Sequence, residues 1–121
     1  MKPAFLLALL ALGACTSVAA VPAGPAALGQ VTAVESLQVR PLELLEDSRC
    51  PASVQCIWAG QVRLLVEVTR SDGAHQQREL TLGKPQNIDW GLLTLADVQP
   101  AKVTPGTTDP RQYRFTFRFE R

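Results

Sequence analysis

Residues 61–73 read Gln-Val-Arg-Leu-Leu-Val-Glu-Val-Thr-Arg-Ser-Asp-Gly, and this stretch decides the fold. Val62, Leu64, Val66 and Val68 occupy one parity. Gln61, Arg63, Glu67 and Thr69 occupy the other, with Leu65 the apolar exception. A period of two places successive side chains on opposite faces, as in a half-buried strand. Ser71-Asp72-Gly73 follows as a hairpin turn, in which Gly supplies a positive φ.

The same pattern recurs on both sides. Gln76 to Leu82 can return antiparallel and is closed by Gly83. Leu92 to Val98 is a further strand candidate, ended by Pro100. At the C-terminus Tyr113, Phe115, Phe117 and Phe119 alternate with Arg114, Thr116, Arg118 and Glu120. Upstream, Val31–Val34 and Leu37–Leu45 read as two more strands. The second shifts its apolar phase at Pro41, from Leu37 and Val39 to Leu42 and Leu44. Proline lacks the N–H a ladder needs, so an edge position or a bulge is expected there. No window carries a sustained 3.6-residue stripe, and residues 84–90 have room for one helical turn at most. The expected fold is all-β: a small antiparallel sandwich or barrel of about six strands. A membrane-spanning barrel needs at least eight strands of about ten residues, more than this chain supplies.

The start of the chain reads differently. Lys2 precedes an unbroken apolar run from Ala4 to Ala14. That is a positive end followed by the hydrophobic region of a signal peptide. The run is too short for a spanning helix, which needs about 20 residues. Leu12-Gly13-Ala14-Cys15 resembles the lipobox of bacterial lipoproteins: an aliphatic residue, two small residues and the modified cysteine. The resemblance implies cleavage before Cys15, acylation of that cysteine and stable anchoring by more than one acyl chain. Thr16, rather than Asp, follows the cysteine, which implies sorting to an outer membrane, facing the periplasm. The alternative is a plain signal peptide cut nearby, at Ala20, with Cys15 discarded. Residues 16–28, rich in Ala with Pro22, Gly24 and Pro25 and no charge, read as a flexible tether. The expected organisation is a leader over 1–14, lipidated Cys15 and tether over 15–28, and one β-rich domain over 29–121.

Charge and cysteine content narrow the function classes. Without Lys2 the chain carries 11 basic and 11 acidic side chains. Such a neutral domain has no long-range attraction for nucleic acid. With Cys15 assigned to lipid, Cys50 and Cys56 remain as an even pair in an oxidising compartment. They read as a disulfide. Zinc would want four ligands, and His75, expected in a solvated loop after the turn, is the chain's one histidine. No metal and no cofactor is expected.

Residues 46–60, Glu-Asp-Ser-Arg-Cys-Pro-Ala-Ser-Val-Gln-Cys-Ile-Trp-Ala-Gly, carry the most individual pattern. They resemble a family of small bacterial secreted proteins and lipoproteins. The shared positions are Asp47, Ser48, Arg49, Cys50, Pro51, Val54, Cys56, Trp58, Ala59 and Gly60. The resemblance implies export, a disulfide and a β-rich domain, and brings no activity with it.

Read physically, Cys50 and Cys56 pin a stiff turn, while Asp47 and Ser48 are residues that organise turns through nearby backbone N–H groups. Arg49 has two readings. It can pair with Asp47 or Glu46 and with loop carbonyls, or it can project from a braced loop as an anchor for a protein partner. Trp58 shares the parity of Val62 and is expected in the core, with an exposed stacking platform as its other reading. Gly60 would make room for the indole. Asp47, Ser48, Arg49 and Trp58 are the candidate partner-binding residues.

No catalytic set emerges. There is no nucleophile elbow, no Gly-rich phosphate loop, and Asp47, Asp72, Asp89, Asp97 and Asp109 are read as turn residues. The functional expectation is a non-enzymatic, membrane-anchored binding or accessory lipoprotein. The alternatives are an inhibitor of a lysozyme or protease acting through Arg49, and a small-ligand carrier with a pocket between the sheets.

Overall fold

The computed structural model describes residues 13, 21–51, 55–57, 60–101 and 108–121. Cys15 and Trp58, with the leader, lie outside the described residues. Among the described residues seven strands form: β1 (Thr32–Val34), β2 (Leu37–Asp47), β3 (Val62–Arg70), β4 (His75–Thr81), β5 (Gln86–Asn87), β6 (Leu92–Gln99) and β7 (Arg114–Glu120). A 3-10 turn, Pro110–Gln112, precedes β7. They build two antiparallel sheets, ordered β1-β2-β3-β4 and β5-β6-β7. The all-β antiparallel expectation holds. Among the described residues no helix is long and apolar enough to cross a membrane.

β3 supplies the centre because its alternation is strict. Val62, Leu64, Val66 and Val68 are fully buried and meet Leu80, Ile88, Leu93, Leu95 and Phe115 from the other elements. At about 25 cal/mol per Å², this buried apolar area is the main favourable term in folding. The β3–β4 turn closes at Gly73, whose φ is 88°. Asp72 Oδ1 accepts from the Ala74 N–H there. The return strand begins one residue earlier than its apolar pattern indicates. His75 pairs with Thr69 inside the ladder, so it is an exposed strand residue and not a loop histidine.

β2 has bulges where its apolar phase changes. Its register with β3 slips between Pro41 and Glu43, and again between Leu44 and Glu46. Pro41 is buried beside the first bulge, and it lies beyond the last β1 partner, so both expectations hold locally. The proline is tolerated because β1 stops pairing at Thr32↔Val39, and no ladder donor is needed beyond it. Residues 84–90 hold no helical turn. They form β5 and a turn closed by Ile88 N to Gly91 O (3.0 Å), which drives Ile88 into the core. In β7, Phe115 and Phe119 are buried, but Phe117 packs only at the margin of the core.

The expected tether is corrected in its second half. Ala23 bridges Ala33 of β1 and Ala26 bridges Phe115 of β7, so residues 22–26 stitch the two sheets along one side. Ala26 is fully buried, and Thr32 Oγ1 donates to the Gly24 carbonyl at 2.7 Å. Small side chains permit this close backbone approach, and their lack of apolar pattern hides it. On the opposite side, Gly83 N donates to Leu95 O at 2.9 Å. The sheets are thereby joined on both flanks.

Candidate functional site

The conspicuous polar cluster sits where β2 ends and β7 begins. Asp47 is the last residue of β2 and its carboxylate turns towards the other sheet. Arg49 Nε donates to Asp47 Oδ1 at 2.9 Å and Nη2 donates to Oδ2 at 3.0 Å, a fork-like pair. Tyr113 Oη donates to the same Oδ2 at 2.6 Å. The rest of the guanidinium reaches across to strand β6 and its exit. Nη1 donates to Val98 O at 3.3 Å and Nη2 to Pro100 O at 3.1 Å. The side chains of Asp47 and Arg49 retain only 8% and 16% of their exposure.

This environment fixes the charge states. Burial alone would push the Asp47 carboxyl up, but the hydrogen bonds from Arg49 and Tyr113 and the Arg49 charge outweigh it and hold the group at about 2. The hydrogen bond to Asp47 raises Arg49, against burial. Burial, then the bond to Asp47, raises the Tyr113 phenol. The cluster is internally neutralised, and it ties one sheet to the other. Of the two readings of Arg49, the structure shows the pairing with Asp47 and loop carbonyls. Its guanidinium is not presented to a partner.

Ser48 is likewise structural. Its N–H donates to Gln61 O at 2.9 Å, and Gln61 N donates to Ser48 Oγ at 3.0 Å. A Cβ at Gly60 would stand 1.9 Å from the Ser48 carbonyl oxygen. The glycine therefore makes room for the backbone of residues 48–49. Beyond it, Cys50 and Cys56 form the expected disulfide, with Cα atoms 5.9 Å apart. Ile57, directly after the bridge, is wholly exposed at 101%.

Alongside this cluster runs a groove of about 460 Å³, lined by Leu28, Leu42 to Asp47, Thr108, Pro110 and Tyr113. The space between the sheets, by contrast, is filled by fully buried side chains. The concavity thus lies outside the core, against the part of β2 that β1 leaves uncovered. Sequence reasoning missed Leu28, Leu42, Leu44 and Leu45 as a surface. The signal was present: after Pro41, apolar residues fall on both parities, more than one buried face can use. Among the described residues no group of three or more His, Cys, Asp and Glu is arranged to hold a metal ion.

No family model matches the chain, and neither curated proteins nor solved structures provide a match.

Proposed function

We propose that this chain is a non-enzymatic lipoprotein of the bacterial envelope. In this reading it is anchored through acylated Cys15 to the outer membrane, faces the periplasm, and binds an envelope protein through the groove beside β2. The groove carries the reading. It is concave, bordered by four leucines, and opens at the margin of the packed core, against which Leu28 and Leu44 lie. The Cys50–Cys56 bridge supports an oxidising address. The polar cluster beside the groove lends itself to support and not to chemistry, since each of its charges already has a partner.

A second reading keeps the hydrolase inhibitor but moves its anchor. Ile57, fully exposed on the disulfide-braced loop, would replace Arg49 as the inserted side chain.

A photo-crosslinking residue in cells separates these. Placed at Leu45 it should capture one discrete partner, and Leu44→Glu should abolish the product. Placed at Gln77, an exposed position on β4, it should capture nothing. A product from position 57 and none from position 45 would overturn the groove reading in favour of the loop. Intact mass of the native protein should show acyl chains on Cys15. An unacylated N-terminus would overturn the anchor.

A further inference from the structure

We propose that residues 22–26 are a releasable clasp that sets how far the domain stands from its lipid anchor; this rests on the reading of Cys15 as the anchored residue. The segment holds both sheets through backbone groups. Pro22 O accepts from the Ala33 N–H of β1 at 2.9 Å, and Gly24 O accepts from the Thr32 hydroxyl at 2.7 Å. Ala26 exchanges both of its backbone bonds with Phe115 of β7, each at 2.9 Å. Side chains add little to this. Pro22, Ala23, Gly24 and Pro25 are exposed, and Ala26 alone of the five is buried. One methyl group is a small apolar area beside Val62, Leu64, Val66 and Val68 of β3. An element held by a few backbone bonds and one alanine opens at much lower cost than the strands beneath it.

The opening has a defined end. Ala27 N donates to Gln30 Oε1 at 3.1 Å and Gln30 N to Ala27 O at 3.0 Å, closing a turn that Gly29 N fastens to Pro41 O at 2.7 Å. These bonds lie on the domain side of the clasp, so release stops at Ala27. Leu28, which lines the groove and packs against the core, keeps its place. Only the reach changes. Cys15 is seven chain steps from Pro22 and twelve from Ala27. At full extension those steps span at most about 25 Å and about 40 Å. A partner within the shorter reach is met with the clasp closed. A partner farther out is met only by opened molecules, so its apparent affinity falls by the open fraction.

The test uses the native full chain, in detergent micelles for hydrogen exchange and in phosphatidylethanolamine–phosphatidylglycerol vesicles for reach. The amides of Ala26, Ala33 and Phe115 should exchange at least about a hundredfold faster than the hydrogen-bonded amides of β3. Gly24 has a φ of 114° with open space around its missing Cβ, so Gly24→Ala strains the closed form alone. It should speed those three amides at least about tenfold and leave β3 unchanged. Ala26→Asp puts a carboxylate at a fully buried position and should hold the clasp open with β3 still protected. Energy transfer from a fluorescent residue at position 77 to acceptors on the lipid headgroups should then fall. Protection of the three amides equal to that of β3, or no response to Gly24→Ala, would overturn the clasp. Loss of β3 protection in Ala26→Asp would overturn it too, because the segment would then be part of the core. Open amides with unchanged energy transfer would overturn its role as a leash. The exchange results hold whether or not Cys15 is acylated, and intact mass reports the acyl chains separately. Failure of the clasp is thereby distinguishable from failure of the anchor.

Discussion

The Tyr113 phenol donates to Asp47 Oδ2 at 2.6 Å, joining residues 66 positions apart in sequence. One residue ends β2, the other precedes β7, and the bond fastens the two sheets at the groove end of the domain. Tyr113→Phe keeps the ring stacked on Phe115, 5.8 Å between centroids, and deletes this bond together with the hydroxyl's hydrogen bond with Thr108. A hydrogen bond to a charged, largely buried acceptor contributes on the order of 2 kcal/mol. Urea unfolding should show that loss with an unchanged denaturant slope.

Tyr113 is also the single tyrosine of the chain, so its titration can be followed by absorbance. Burial, and then the bond to Asp47, favours the neutral phenol. The group should therefore ionise above the ordinary value of about 10. Because its folded pKa is raised, this contribution to stability is complete at neutral pH and fades as pH climbs through the folded value. Asp47→Asn removes the negative charge but not the burial. It should bring the phenol part of the way back.

How much of this was legible beforehand depended on the range of the interaction. β3 could be read because its four buried residues and its turn lie within one short stretch. β2 could be read up to Pro41, where the bulge begins. The pairing of Arg49 with Asp47, two residues away, could be read, but the particular carbonyls it reaches could not, since Val98 and Pro100 lie 49 and 51 residues away. Residues 22–26 were missed for another reason. They join the sheets through backbone groups and through alanines, which leave no periodic signature.

Arg49→Lys tests the fork geometry against charge alone. A single ammonium can keep an ion pair with Asp47, but it cannot also reach the carbonyls of Val98 and Pro100. Arg49→Met removes both functions and leaves the Asp47 carboxylate largely buried, with Tyr113 as its remaining side-chain donor in this cluster. The Met variant should lose about 2–4 kcal/mol, below the upper end for fully buried pairs because some exposure remains. Lys should recover part of that loss, by thermal or chemical unfolding. Full recovery would mean that the two carbonyl contacts contribute nothing.

The acid limb of stability should carry the signature of Asp47. Its folded pKa of about 2 lies below the roughly 3.9 of an unfolded aspartate. The stabilisation is complete above about pH 5 and drains away as pH falls towards 2. Discounted for residual solvent screening, it is on the order of 1–2 kcal/mol. Asp47→Asn should flatten the unfolding free energy across that window. Asp72 is also held low, by the hydrogen bond from Arg70 and then that from Ala74 N–H, but it stands in the solvent. Asp72→Asn should leave the limb nearly as steep as before.

Removing the bridge should separate the loop from the polar tie beneath it. The Cys50–Cys56 closure spans only six positions. The chain-entropy account gives about 2 kcal/mol for so short a loop. Asp47, Arg49 and Tyr113 all lie outside the closed loop, and their mutual bonds do not pass through either sulfur. The double variant Cys50→Ala, Cys56→Ala should therefore lose about that much stability while the Tyr113 titration keeps its raised midpoint. A midpoint that fell with the bridge would show that the loop holds Arg49 in place, and that the cluster depends on the disulfide for its geometry.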